Sequence, residues 1–195
     1  MENSIERISV IINNSINVKL GLLKNEEILH TIHKVATEIT LAYKNKNKVL
    51  LCGNGGSAAD AQHIAAEFTG RFYFDRDPLF AEALHVNTSY LTAVANDYSY
   101  EKIYSRYVKA AGREGDVLIG FSTSGNSGNV VEALRVANEL NMKTVGLTGS
   151  SGGKMKDICQ YLINVPSTDT PRIQESHILI GHIICEIVES NLFGQ

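Results

Sequence analysis

The chain has 195 residues, enough for one domain with a substantial core, and its 44% hydrophobic and 20% charged content is that of a soluble globular protein. A net charge of −3 with no basic block argues against a non-specific nucleic-acid binder. The three cysteines, Cys52, Cys159 and Cys185, lack metal-finger spacing and imply a reducing, cytoplasmic compartment, and the N-terminus carries no secretory h-region.

The opening 3–22 segment reads as a helix with Ile5, Ile8, Ile12, Ile16 and Leu20 on one stripe. A second helix over 25–45 carries Ile28, Ile32, Val35, Ile39 and Ala42, and 44–48 reads as its solvated end. Strands and helices then alternate. Strand 48–52, helix 57–70 and a short strand near 82–86 are followed by helices across 89–111. Strand 116–121, helix 128–140, strand 143–148, a short helix near 152–158, strand 161–165 and a final helix over 171–192 complete the order. Near-continuous apolar strands separated by helices predict a parallel sheet covered on both faces, an α/β doubly wound three-layer sandwich. The expectation is one domain over 1–195, with added N-terminal helices over 1–46 and the sandwich over 48–195. The 178–188 run is apolar, but Gln174, His177, His182, Glu186 and Glu189 punctuate it and its surroundings, and it falls short of the roughly 20 residues that a membrane span needs. A buried helix is expected there, and no membrane partner.

Two loops could carry chemistry. Cys52-Gly53-Asn54-Gly55-Gly56-Ser57 follows the first strand and opens a helix. Glycines there permit a tight turn, and a helix N-terminus favours an anion. Ser122-Thr123-Ser124-Gly125-Asn126-Ser127 follows another apolar run, with Ser127 in position to cap the next helix. Open α/β sheets bind ligands at the carboxyl ends of their strands, where both loops fall. One ligand rich in oxygen, such as a phosphorylated sugar, suits both. Gly53 to Ala58 also satisfies the dinucleotide fingerprint, with Asp75 and Asp77 at a suitable distance. That reading is disfavoured because Phe72-Tyr73-Phe74 runs into a turn-like cluster and gives no second strand ending at Asp75.

On helix 57–70, His63 and Glu67 share a face that Asp60 and Arg71 extend, opposite Ala61, Ile64, Ala65 and Phe68. A polar stripe is commonly a solvated face. An imidazole and a carboxylate at this spacing can also share one metal ion. On the last helix, His182 sits among apolar residues and reads either as a satisfied core histidine or as an acid/base or ligand.

Several segments together resemble the phosphoheptose isomerases of the sugar isomerase (SIS) domain superfamily. They are residues 51–63 with Glu67 and Gly70-Arg71-Phe72, Ala95-Asn96-Asp97-Tyr98, 121–127, and Arg172-Ile173-Gln174-Glu175-Ser176-His177. The resemblance spans nearly the whole chain and implies a flavodoxin-like SIS fold. The activity it implies is conversion of sedoheptulose 7-phosphate to D-glycero-D-manno-heptose 7-phosphate, towards activated heptose for lipopolysaccharide or capsule. It implies that Asn54, Gly55, Gly56, Ser57, Ser122, Thr123, Ser124 and Ser127 contact the substrate and its phosphate. Asn96 and Asp97 reach the sugar, and Arg71, Glu67 and Gln174 also bind substrate. Glu67 is the implied base, His182 its acid/base partner, and His63, Glu67, Gln174 and His182 the ligands of one zinc ion per subunit. A cytoplasmic homotetramer is implied. Ser176 stands where the family pattern leads one to expect an apolar residue.

Gln174 and His182, eight residues apart on one helix, can meet one metal only if their side chains lean inward, if the helix starts after Gln174, or if one ligand comes from a neighbouring subunit. The apolar stripes of the N-terminal helices favour a site built at a subunit interface. The rival function is that of a non-catalytic SIS-domain regulator binding the bacterial replication initiator. Retention of both Glu67 and His182 favours the enzyme.

Overall fold

A computed structural model describes residues 4–194. Residues 1–3 and 195 lie outside it, among them the expected first residue of the opening helix. Helices α1 (Ser4–Leu23) and α2 (Glu26–Lys44) precede β1 (Val49–Gly53), α3 (Gly56–Thr69), β2 (Ala81–Ala83), α4 (Thr88–Asp97) and α5 (Ile103–Ala111). Then come β3 (Val117–Phe121), α6 (Gly128–Glu139), β4 (Lys143–Thr148), β5 (Tyr161–Asn164) and α7 (Thr170–Phe193). The short helix expected near 152–158 is a 3-10 turn, Gly153–Asp157.

The five strands are all parallel, in the order β2-β1-β3-β4-β5. β1 and β3 pair from Val49↔Val117 to Gly53↔Phe121 and are buried at every position, which is why their sequences are continuous apolar runs. Strand pleating sends Val49 and Leu51 to one face and Leu50 and Cys52 to the other. The first face is covered by α2, α3 and α7, through residues such as Val35, Ile39, Ile64, Phe68, Ile180 and Ile184. The second is covered by α4, α5 and α6, through Val94, Val108, Leu134 and Ala137. This is the doubly wound three-layer sandwich that the strand pattern predicts.

The two N-terminal helices separate in role. The α2 stripe Ile28, Ile32, Val35, Ile39 and Ala42 is buried in the chain's own core. On α1 the stripe Ile5, Ile8, Ile12, Ile16 and Leu20 stays exposed, from 71% at Ile5 to 43% at Leu20. The helix is tied down by its other side, where Ser15 donates to Glu175 at 2.6 Å and Arg172 donates to the Ile11 carbonyl at 3.1 Å.

Two polar features depart from expectation. Lys48 does not belong to a solvated end: its ammonium lies 2.5 Å from the buried Asp116 carboxylate. Glu189 reads in the sequence as a polar interruption of α7, yet it accepts hydrogen bonds from the backbone N–H groups of Phe72, Tyr73 and Phe74 and from Arg76 Nε. Burial on its own raises a carboxyl's pKa. Here the backbone donors and Arg76 outweigh it and hold Glu189 below its ordinary value. Arg76 also donates to the carbonyls of Glu67 and Phe68, so this buried pair fastens the end of α3 to α7.

Among the described residues no helix is long and apolar enough to cross a membrane.

Candidate active site

The chain leaves β1 towards β2 on one side and reaches β3 on the other, so the strand order reverses between β1 and β3. A crevice opens at such a reversal, at the carboxyl ends of the strands. Asn54 follows β1 and Asn129 opens α6 after β3, and their side-chain amides exchange two hydrogen bonds of 2.8 and 2.9 Å across it. Tyr100 donates to Asn54 at 3.0 Å. That bond ties the segment after α4 to the glycine turn. Asn96 and Asp97 lie exposed at the end of α4, hydrogen-bonded to each other at 2.9 Å.

Gly55 holds φ at +56°, a conformation that favours glycine, so the chain can turn into α3 within two residues. Ser57 is buried in the first turn of that helix. Gln174 lies over the turn: a Cβ on Gly56 would come within 2.6 Å of its Nε2.

The second loop is pinned internally. Ser122 and Ser127 place their hydroxyls 2.9 Å apart, and the Ser127 N–H reaches Ser122 Oγ at 3.4 Å. Ser127 occupies the N-cap position of α6, as its sequence position predicts, but its hydroxyl makes no capping bond because Ser122 engages it. Asn126 Oδ1 accepts from the Lys154 N–H, and the Gly125 carbonyl accepts from the Met155 N–H, so the loop is braced by the 3-10 turn. Thr123 and Ser124 open onto a cavity of about 180 Å³, whose other walls include Ser150, Ser151, Ser167, Thr168 and Thr170. These last five hydroxyls were not anticipated. They follow β4 and β5, and the rule that singled out residues 122–127, a Ser/Thr/Gly cluster after an apolar strand, applies equally to 148–153 and 167–170.

α3 and α7 run side by side in parallel, Gln174 level with Gly56 and His182 level with His63. His63 Nε2 lies 3.1 Å from Glu67 Oε1 and 3.3 Å from His182 Nε2. Donor atoms of His63, Glu67 and His182 all fall within 4.8 Å of one another. Two nitrogens on a tetrahedral zinc ion, each bonded at about 2.0–2.1 Å, stand about 3.3 Å apart, so the donor set and spacing fit zinc. All three donors come from one chain. Parallel packing of α3 on α7 collects them. α7 starts at Thr170, so Gln174 and His182 do share one helix, about 12 Å apart along its axis. Gln174 reaches the glycine turn, two turns from the histidines.

Arg71 is exposed just beyond α3. Asp60, one turn before His63, has a carboxyl oxygen buried with no partner; burial raises its pKa to about 6, partly opposed by His63. His177 is fully buried below the second loop, its Nε2–H donating to the Thr148 carbonyl at 3.2 Å while Nδ1 has no partner. Desolvation lowers its pKa to about 4, only partly opposed by the Thr148 bond, so it is a neutral core histidine. Ser176, where an apolar residue was expected, satisfies its buried hydroxyl by donating to the Arg172 carbonyl at 2.8 Å. The cysteines are unpaired, and burial raises their thiols, Cys159 to about 12, which removes thiolate chemistry. Asp75 and Asp77 lie in irregular chain before β2, with no strand ending at either, so the dinucleotide reading has no structural counterpart.

Residues 15–149 match the family described as the SIS domain. The chain is 58% identical over 182 residues to the phosphoheptose isomerase of Aneurinibacillus thermoaerophilus, covering 93% of this chain and 92% of that one. The chain belongs to the phosphoheptose isomerase family. Two solved phosphoheptose isomerases have its fold. The one from Neisseria gonorrhoeae superposes with a TM-score of 0.90 at 43% identity, covering 96% of this chain and all of the other. The one from Francisella tularensis superposes at 0.92 with 34% identity, covering 96% and 99%. Phosphoheptose isomerases are aldose–ketose isomerases, and the paired loops with the His63, Glu67 and His182 cluster supply the elements that such chemistry needs.

Proposed function

We propose that this chain interconverts D-sedoheptulose 7-phosphate and D-glycero-D-manno-heptose 7-phosphate, feeding activated-heptose synthesis for lipopolysaccharide or capsule. The observation that carries this reading is the meeting of Glu67, His63 and His182 on α3 and α7, where α3 opens from the glycine turn and Thr170 and Ile173 of α7 line the cavity with Thr123 and Ser124. Glu67 takes the proton from C1 of the ketose, and the resulting enediolate regains a proton at C2. His182 moves a proton from the C1 oxygen to the C2 oxygen, leaving an aldehyde at C1 and a hydroxyl at C2. A positioned acid or base of this kind contributes typically about 10²–10⁴-fold. Residues 54–57 and Ser122, Thr123, Ser124 and Ser127 hold the phosphate, and this remote binding fixes the reacting carbons against Glu67. Asn96, Asp97, Arg71 and Gln174 contact the sugar.

His63, Glu67 and His182 would hold one zinc ion per subunit, while Gln174 of the same chain lies at the glycine turn, two turns away. Bound there, zinc supplies Lewis-acid polarisation of the substrate carbonyl, worth several kcal/mol. The uncovered α1 stripe supports assembly into a homotetramer, since a closed symmetric oligomer is the usual way to bury such a face. Three unpaired cysteines support a cytoplasmic setting. The regulator reading is disfavoured, because Glu67 and His182 are both present and poised, and the close relatives carry the isomerase name.

Purified protein incubated with sedoheptulose 7-phosphate, with and without a chelator, tests the proposal. Aldose should form and the chelator should suppress it. A protein that makes no aldose under either condition refutes the isomerase reading.

A further inference from the structure

Glycine inside a helix costs about 0.5–1 kcal/mol relative to alanine, so its presence there needs a compensating gain. α7 holds one glycine in its interior, Gly181, buried and immediately before His182. What it provides is approach. A Cβ on Gly181 would lie 2.5 Å from Cδ1 and 2.7 Å from Cγ1 of Ile64 on α3. Ile64 is 1% exposed and packed into the core, and as a β-branched residue in a helix it has one strongly preferred χ1. It cannot swing aside cheaply. Each side of this contact adjoins a histidine in sequence: Ile64 follows His63, and Gly181 precedes His182, and those rings meet Nε2 to Nε2 at 3.3 Å.

We propose that Gly181 is a positioning residue for the metal centre, its missing side chain setting the distance between α3 and α7 that places His182 opposite His63. Ordinary carbon–carbon contact needs about 3.5–4.0 Å, so a methyl at 181 demands about 1 Å of separation between the helices or an equivalent displacement of Ile64. Metal–ligand distances tolerate only about 0.2 Å. The displacement is thus several times what a metal site tolerates. This inference rests on the reading of His63, Glu67 and His182 as metal ligands.

The test is calorimetric titration of the chelator-stripped protein with zinc, together with thermal unfolding of the same samples. Wild type should bind zinc, and Gly181→Ala should stay folded but bind about 10–100-fold more weakly, the usual scale for groups that orient ligands. Gly181→Ala combined with Ile64→Ala removes both crowded carbons and should recover most of the lost affinity. Ile64→Ala alone should lower the melting temperature through its cavity and leave zinc affinity near wild type. If Gly181→Ala does not fold, the folded double variant decides: near-wild-type affinity supports the proposal and weak binding overturns it. Wild type that fails to bind zinc brings down the metal reading and this one with it. Wild type that binds while folded Gly181→Ala binds equally well, or while Ile64→Ala alone is as weak as Gly181→Ala, overturns the positioning role only.

Discussion

His63 and His182, 119 residues apart in the chain, turn their Nε2 atoms towards each other at 3.3 Å, with ring planes at 62°. Two neutral imidazoles can share one hydrogen bond in this pose, and Glu67 Oε1 lies 3.1 Å from the same His63 nitrogen. A single chain therefore brings together the proposed acid/base pair and three groups able to ligate a metal.

Mixed oligomers test that self-sufficiency. Glu67→Gln and His182→Ala each disable the cluster of their own chain, so subunits exchanged between the two variants should show no recovered activity. Recovery in verified mixed assemblies would mean that one chain lends Glu67 or His182 to another.

The phosphate assignment concerns Ser57, Thr123 and Ser124. Ser124→Ala and Ser57→Ala should each raise KM more than they lower kcat, because each removes a hydrogen bond to a charged group worth roughly 1.5–3 kcal/mol. Inorganic phosphate should compete with substrate. Steady-state kinetics that leave KM unchanged in both variants would move the phosphate elsewhere.

How much of this was legible beforehand depended on how local the signal was. Strand and helix positions came within a few residues, because β1 and β3 are continuous apolar runs and α2 repeats Ile28, Ile32, Val35 and Ile39 at helical spacing. The β1 and β3 loops were equally readable, since glycine and hydroxyl clusters after a strand are local patterns. The Arg76–Glu189 pair was not, because its partners lie 113 residues apart and a buried glutamate looks the same in sequence as an exposed one. The side-by-side placement of α3 and α7 was hidden for a similar reason. Spacing along α7 alone does not reveal that the parallel helix pair brings His63 and Glu67 to His182 while Gln174 stays at the glycine turn.

His177 makes stability depend on pH. Its folded pKa of about 4 lies below the ordinary 6.5, so between these values the unfolded chain binds more protons. Its contribution is fully present above pH 6.5 and is lost as pH falls towards 4, at up to about 1.4 kcal/mol per pH unit. Asp60 acts in the opposite sense: its raised folded pKa of about 6 gives stability that is present below its ordinary 3.8 and lost as pH rises through 6. The wild-type profile in this range is therefore flattened. Urea unfolding of metal-free wild type and His177→Asn should differ by an amount that shrinks as pH drops from 6.5 to 4. A difference constant across that range would show that His177 titrates normally.

The α1 stripe is the expected subunit contact. Ile8→Glu with Ile12→Glu should leave the sandwich folded, since both side chains are 55% exposed in the single chain. Sedimentation should show the wild type as an oligomer and the double variant as a smaller species. An unchanged mass would place the interface on another face.

The most direct test of Glu67 as the base is isomerisation in D2O followed by NMR. The wild type should convert sedoheptulose 7-phosphate to the aldose with deuterium entering the C2 position. Glu67→Gln, folded and still able to bind the substrate, should lose at least on the order of 10²-fold in turnover and in deuterium entry. Near-wild-type conversion and labelling by Glu67→Gln would contradict the account, because the C1 proton would then be leaving by another group.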